Sequence, residues 1–177
     1  MRNDPLPKAV VVGIDGSREA ILAATWAADE AIARDVSLRL VYVNPADSPG
    51  HGFRTAMAEL ALRVAAKAVA EQEKPVKVET VLLTGPAAKG YAAKVLIRES
   101  RYADVLCLGA VGMGRLATTV LGSTATALTR RGKCPVAIVS KPMRSEEPIA
   151  VVVDPSDDGP AAATAASSPA GGSAPAR

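Results

Sequence analysis

The chain has 177 residues, of which 49% are hydrophobic and only 3% aromatic, and its formal net charge is +3. This length fits one domain with a core of Ala, Val and Leu, and the scarcity of aromatic rings argues against a surface that stacks nucleic-acid bases. Five acids and one arginine lie beyond residue 144, so residues 1–144 carry a net charge of about +7, which suits an anionic small ligand or weak contact with a polyanion. No dense run of Lys and Arg marks nucleic acid as a specific partner.

Residues suited to metal or redox chemistry are few. Cys107 and Cys134 form no CxxC pair and lie in or beside apolar runs, so we expect buried, reduced thiols. With the single histidine, His51, they are too few for a structural zinc site, which takes about four ligands. No segment approaches the roughly 18 apolar residues of a membrane helix, and the first residues lack a signal-like core. We therefore predict a cytoplasmic location and no membrane contact.

Short apolar runs alternate with helix-like segments along the chain. The predicted strands are Ala9–Ile14, Leu38–Val43, Val76–Leu83, Val105–Leu108 and Pro135–Val139. The predicted helices are 18–34, 53–73, 87–101 and 123–131. Ser17 is a suitable cap for the first helix, and Pro86 suits the first turn of the third. Because the strands are almost unbroken apolar runs separated by helices, the pattern predicts an α/β fold with a parallel sheet covered on both faces.

The second predicted helix has an amphipathic pattern. Its apolar residues recur at steps of three and four and form one stripe: Met57, Leu60, Ala61, Val64 and Ala68.

The segment 145–177 differs from the rest. From Pro155 onward Ala, Ser, Gly and Pro dominate, which predicts disorder. Residues 149–156 resemble residues 10–17 at an offset of 139, and weaker similarity continues to about residue 166. This is either the truncated start of a second copy of the domain or chance similarity in a chain rich in Ala and Val. We divide the chain into a domain over 1–144 and a mostly disordered tail over 145–177.

Residues 109–124 read GAVGMGRLATTVLGST and contain four glycines between the fourth predicted strand and the fourth helix. The P-loop pattern does not fit, because Lys133 is followed by cysteine, and the first strand lacks the GxGxxG spacing. The backbone N–H groups of such a loop and the start of the next helix would still favour a phosphate group. The hydroxyls of Ser123 and Thr124 and the charge of Arg115 would add donors. Glycine content alone equally fits a loop that only turns the chain.

The spacing Gly109-x2-Gly112-x9-Gly122-Ser123 resembles the G-x2-G-x9-G-[ST] signature of ATP-binding universal stress proteins. Residues 11–17, 40–43 and 134–139 resemble the first, second and last strands of that family, and Gly85-Pro86 resembles the turn before its third helix. The resemblance covers about residues 8–141. It implies a flavodoxin-like, Rossmann-like sheet of five parallel strands in the order 3-2-1-4-5, with ATP, accompanied by Mg²⁺, as the ligand.

The resemblance also implies roles for single residues. Asp15 would meet the ribose or the phosphates, directly or through Mg²⁺, although a carboxylate near Ser17 also fits a helix cap. Gly13 and Ile14 would lie along the nucleotide, and the backbone of Val43 would meet adenine. The ribose and phosphates would be enclosed by Gly109, Gly112, Arg115, Gly122, Ser123 and Thr124. Ala110-Val111 replaces a pair that is often polar in the family, so side-chain contacts are lost there.

No catalytic constellation is visible. His51 is alone in a Pro/Gly-rich segment, which predicts a solvated loop histidine, and no GxSxG elbow is present. We therefore expect at most slow ATP hydrolysis and no enzyme activity beyond it. The resemblance to the family implies a nucleotide-dependent stress-response module that forms homodimers through Pro135–Val139. Two alternatives remain. One is a module for cyclic AMP, whose single phosphate would make less use of Gly122-Ser123. The other is a homodimeric interaction protein that needs no ligand.

Overall fold

The computed structural model describes residues 8–46, 50–110, 121–140, 149–154 and 164–167. The strands in these ranges are β1 (Ala9–Ile14), β2 (Ser37–Pro45), β3 (Val78–Gly85), β4 (Ala103–Gly109), β5 (Val136–Ser140), β6 (Ile149–Val153) and β7 (Thr164–Ser167). The α-helices are α1 (Arg18–Ala33), α2 (His51–Ala70), α3 (Tyr91–Glu99) and α4 (Ser123–Arg131), and a 3₁₀ turn spans Ser100–Tyr102. No helix within these ranges is both long and apolar enough to cross a bilayer.

All of the strands belong to one sheet, in the order β3-β2-β1-β4-β5-β6-β7. The first five are parallel, and in the centre Val12 lies beside Leu40 on β2 and Cys107 on β4. The predicted α/β fold and the strand order 3-2-1-4-5 are therefore confirmed. The chain moves outward in one direction from β1 to β3 and in the other from β4 to β5. The order thus reverses between β1 and β4, the place where open α/β sheets bind their ligands.

Helices cover both faces of the sheet, because successive residues of each strand point to opposite sides. Val10 and Val12 of β1 pack in the core layer that contains residues of α1 and α2, including the buried Trp26. Val11 packs in the opposite layer, together with Leu96 of α3 and residues of α4. Two apolar layers therefore enclose β1 completely, as its uninterrupted apolar sequence predicts.

The sheet continues past β5 with two antiparallel strands. Val136 of β5 lies opposite Val153, and Ser140 lies opposite Ile149, so β6 pairs along the whole of β5. β7 pairs with the outer side of β6. The edge of β5, which we predicted as the homodimer contact, is therefore occupied within the same chain. The rest of the predicted disordered tail falls mainly outside the described residues.

Helix α3 begins later than predicted. Its first residue is Tyr91, and Pro86 lies outside it in the segment after β3. Gly90 precedes the helix with a φ of 75°, in the left-handed region that glycine adopts without strain. This conformation prevents the helix from extending backwards, so the prediction that Pro86 occupies its first turn was wrong.

Helix α2 packs on the core through a different face from the predicted stripe. Its buried residues are Ala58, Leu62, Ala65 and Val69. Met57, Leu60 and Val64, which belong to the predicted stripe, are exposed to between 42% and 46%. The helix carries two adjacent apolar faces, and the buried one includes two alanines, whose small side chains permit close approach to the layer beneath. The apolar pattern was read correctly, but it does not coincide with the packed face.

Candidate functional site

A cavity of about 380 Å³ opens where the order of the strands reverses. It is bordered by the carboxyl ends of β1, β2 and β4 and by the first turns of α1 and α4. The predicted site residues brought together there are Gly13, Ile14, Asp15, Val43, Gly109, Gly122, Ser123 and Thr124. The other two, Gly112 and Arg115, lie outside the described residues. Residues separated by more than one hundred positions thus meet at one edge of the sheet.

The turn between β1 and α1 orients the carboxylate of Asp15. The Ser17 N–H donates to Asp15 Oδ1 at 2.9 Å, and the Ala20 N–H donates to Ser17 Oγ at 3.1 Å. Gly16 has a φ of 86°, which allows the chain to reverse between the strand and the helix. Ser17 is therefore the helix cap, as predicted, while Asp15 both supports that cap and borders the cavity.

Among the residues that the structure describes, no side chain caps the N-terminus of helix α4, and this open end faces the cavity. Gly122 is its cap residue and has no side chain to accept from the first-turn N–H groups. The Gly122 carbonyl accepts from the Thr126 N–H at 2.9 Å, so the helix starts firmly at Ser123. Ser123, Thr124 and Ala125 line the cavity. Because the first N–H groups of a helix have no partner within the helix, this end attracts anions.

The two described glycines of the signature have different physical roles. Among the described residues, a Cβ at Gly122 would meet only the Ala110 carbonyl oxygen, 3.9 Å away, and the residue has an ordinary φ of −59°. A side chain fits there without strain, so glycine serves to leave space. A Cβ at Gly109 would come within 2.7 Å of Glu19 and 2.8 Å of the Ala20 nitrogen. Gly109 is therefore required by the packing of β4 against the first turn of α1.

Several cavity residues have no signal in the sequence. Tyr42 of β2 and Ala92 and Leu96 of α3 line the cavity. Burial raises the pKa of Tyr42, the nearby Asp15 carboxylate raises it further, and the Arg54 guanidinium opposes both. The phenol of Tyr42 thus remains neutral at physiological pH. The pattern of apolar residues predicts that such a residue lies on a strand or on a helix. It does not predict which elements lie next to one another, and α3 lies close to β1 because of the order of the strands in the sheet.

The sequence profile of the universal stress protein family matches residues 7–140. The chain belongs to the universal stress protein family. One relative, universal stress protein Rv2624c of Mycobacterium tuberculosis (strain ATCC 25618 / H37Rv), is 46% identical over 141 residues. That match covers 78% of this chain and 50% of the relative, so this chain spans about half the length of that protein.

Solved structures of the family share this fold. A universal stress protein in complex with cAMP is 28% identical, with a TM-score of 0.56, over 75% of this chain and 96% of that one. The universal stress protein UspA from Lactobacillus plantarum is 21% identical, with a TM-score of 0.62, over 75% of this chain and 97% of that one. The family and the architecture therefore agree.

The remaining candidate groups lie away from the cavity. His51 is exposed, as predicted, but it is the first residue of α2 and not part of a loop. Cys107 and Cys134 are free and buried, and burial raises the pKa of both thiols, that of Cys134 to about 12. No group of three His, Cys, Asp or Glu residues in the described ranges is arranged to hold a metal ion. Asp15 is the acidic side chain that borders the cavity.

Proposed function

We propose that the protein is a cytoplasmic regulatory module that binds ATP, together with Mg²⁺, in the cavity and signals whether the nucleotide is present. The observation that carries this proposal is the open N-terminus of α4 beside Gly122, at the point where the strand order reverses. A phosphate group at this position would accept from backbone N–H groups and from the hydroxyls of Ser123 and Thr124. Gly112 and Arg115 would complete the phosphate site.

The apolar part of the cavity suits a purine base. Val41 and Val43 of β2 and Leu96 of α3 line it, and its volume of about 380 Å³ falls in the usual range for small-molecule sites. The relative solved with cAMP is similar to this chain over most of its length, which supports an adenine nucleotide as the ligand class. Gly13 and Ile14, at the end of β1, would lie along the nucleotide between the base and the phosphates.

The donor set also fits a magnesium ion carried by the nucleotide. Mg²⁺ is commonly held by one or two carboxylates together with the phosphates of a substrate. Asp15 supplies one carboxylate at the cavity, oriented by the Ser17 N–H. The ion would also reduce the repulsion between this carboxylate and a triphosphate. We therefore propose Asp15 as the protein group that holds the Mg²⁺ of the bound nucleotide.

A binding role explains the site better than catalysis does. Within the described part of the chain, neither a histidine nor a second carboxylate lines the cavity, so no side chain there is suited to activate a water molecule. We propose that hydrolysis of ATP is slow and that occupancy is the signal. Sustained release of phosphate that Asp15→Ala abolishes would instead favour an enzyme.

Mass spectrometry of nucleotide released from the denatured protein is the direct test. We expect ATP, and we expect calorimetry to give tighter binding for ATP with Mg²⁺ than for cAMP, because a triphosphate makes fuller use of the α4 N-terminus. The absence of any adenine nucleotide, together with no heat on titration with ATP, would overturn the proposal. Binding of cAMP in preference to ATP would support the second candidate, a cAMP-binding module, which the cAMP-bound relative favours.

We also propose that the protein forms homodimers through β5 when β6 leaves the edge of that strand. Val136–Ser140 is an apolar strand with a paired outer edge, and β6 occupies that edge within the chain. A second copy would therefore have to displace β6 before it could pair with β5. A dimer whose mass and melting temperature do not respond to ATP would favour the third candidate, an interaction protein that needs no ligand.

A further inference from the structure

Helix α2 exposes a row of large apolar side chains. Phe53 is 73% exposed, Met57 46%, Leu60 44% and Val64 42%. They are separated by four, three and four residues, so they lie along one side of the helix. Single exposed apolar residues are ordinary, but a contiguous row of four is typical of a surface that another molecule covers. We call these four residues the α2 stripe.

A groove lies along this row. It has a volume of about 180 Å³ and is lined by Ile21, Tyr42, Met57, Leu60, Ala61 and Val64. Asp15 and Gly16 also line it. The groove therefore lies between α2, the beginning of α1 and the end of β2, next to the nucleotide cavity but outside it. A concave apolar surface of this kind receives the apolar side chains of a helix.

Cations border the α2 stripe. Arg54, Arg63 and Lys67 are exposed, and each is three residues from a member of the stripe, which places it on a neighbouring line of the helix. Lys67 lies 3.7 Å from Glu71, but both side chains are largely exposed, so this pair binds Lys67 only weakly. Glu59 is the acidic residue nearest to these cations on α2; it is four residues before Arg63 and therefore lies beside it, farther from the stripe than Arg63 itself.

We propose that the α2 stripe and its groove dock an amphipathic helix of a partner protein, one whose apolar face is flanked by acidic residues. The apolar residues of that helix would enter the groove, and its carboxylates would meet Arg54, Arg63 and Lys67. The groove shares Asp15 and Tyr42 with the nucleotide cavity, but the four residues of the α2 stripe do not line that cavity. The proposal therefore concerns a second surface and goes beyond the proposed function.

The charges favour such a partner over a second copy of this chain. If two α2 helices paired in antiparallel fashion about Leu60 and Ala61, Arg54 of each copy would lie opposite Lys67 of the other. Like charges placed opposite one another oppose association. A flat anionic membrane fits less well than a helix, because the groove is concave and is lined in part by Asp15, an acidic residue. A helix can bury apolar side chains there and keep its acidic residues outside.

Two fluorescent peptides test the proposal on the full chain. Both are helical peptides of about 18 residues with leucines at i, i+3, i+4 and i+7; one carries Glu and the other Lys beside the leucines. Fluorescence anisotropy is expected to show binding of the Glu peptide that is roughly tenfold or more tighter than binding of the Lys peptide, and weaker in high salt. Equal affinity for both peptides, or no binding of the Glu peptide, would overturn the proposal.

Variants of α2 separate docking from non-specific adhesion. Leu60→Glu is expected to abolish binding of the Glu peptide, while Ala70→Glu, an exposed position outside the stripe, is expected to preserve it. Changing Arg63 and Lys67 together to Glu is expected to reverse the preference between the two peptides. Circular dichroism checks that each variant folds. Unchanged binding by Leu60→Glu would refute the assignment. Two other results would also refute it. One is that the parent protein forms a dimer and Leu60→Glu dissociates this dimer. The other is that the parent binds phosphatidylglycerol vesicles but neither peptide, and that Leu60→Glu abolishes the binding to vesicles.

Discussion

Replacement of Gly122 by glutamate separates ligand binding from folding. The φ of −59° at this residue is accessible to any amino acid, and among the described residues the nearest contact of a Cβ would be the Ala110 carbonyl oxygen, 3.9 Å away. The fold therefore accepts the substitution, and a negative charge at the start of a helix is favourable. The introduced side chain, however, would extend into the cavity beside Ser123 and Thr124.

The expected loss of affinity follows from Coulomb's law. Two unit charges about 4 Å apart repel by about 4 kcal/mol at an effective dielectric constant of about 20. Since the cavity is open on one side, we take about half of this value, roughly 2 kcal/mol, for the introduced carboxylate and a bound phosphate. This free energy corresponds to a loss of about thirtyfold in affinity for ATP. Gly122→Ala adds no charge, so it is expected to weaken binding much less.

Isothermal titration with ATP, in parallel with thermal unfolding, measures both effects. We expect the Gly122→Glu variant to melt within a few degrees of the parent while its Kd for ATP rises about thirtyfold, with a smaller change for cAMP. Equal ATP affinity for this variant and the parent would refute the reasoning, because the phosphates could not then lie at the start of α4. A collapse of the melting temperature would show that Gly122 is needed by the fold.

Other consequences can be measured independently. Gly109→Ala is expected to lower the free energy of unfolding, measured by denaturant titration, by about 1–3 kcal/mol, because the new Cβ would collide with the backbone of α1. Unchanged stability would contradict that contact. Deletion of residues 145–177 removes β6 and β7 and uncovers the edge of β5, so light scattering of the truncated protein is expected to show dimers. A truncated protein that stays monomeric would count against dimerisation through this edge. Cys107 and Cys134 are expected to react with thiol reagents far more slowly in the folded protein than in denaturant. In the folded protein the pKa values of both thiols are raised above the ordinary 9.0, so the thiols of the unfolded chain lose their protons at lower pH. The free energy of unfolding is therefore expected to fall as the pH rises above about 9, and a free energy that does not change with pH in this range would refute this.

The sequence predicted the five parallel strands and helices α1 and α4 closely, but it placed the start of α3 wrongly. Continuous apolar runs exist because the central strands are covered on both faces, and the run Ala9–Ile14 coincides with β1. Pro86 suggested a helix start because proline suits a first turn, yet Gly90 in the left-handed region determines where α3 begins. Periodicity along α2 could not distinguish the packed face from the exposed one, because both are apolar.

The site was predicted in part, for a physical reason. The spacing from Gly109 to Gly122 lies within one connection, so local sequence is enough to indicate the start of α4. Leu96 reaches the same cavity from α3, and Tyr42 reaches it from β2. Their positions depend on which strands are neighbours, and this order is a property of the whole sheet. The pairing of β6 with β5 likewise depends on which strand edges are available in the folded sheet, and the sequence of β6 alone does not reveal this.

The contact between Gly109 and the first turn of α1 joins two elements that border the cavity, the end of β4 and the start of α1. No space for even a methyl group separates the end of β4 from the backbone of Glu19. The chain at Gly109 therefore lies directly against α1, whose cap residue Ser17 donates its N–H to the Asp15 carboxylate. Asp15 also lines the groove beside α2. Consecutive contacts thus join the end of β4, the cap of α1 and the groove on the outer surface.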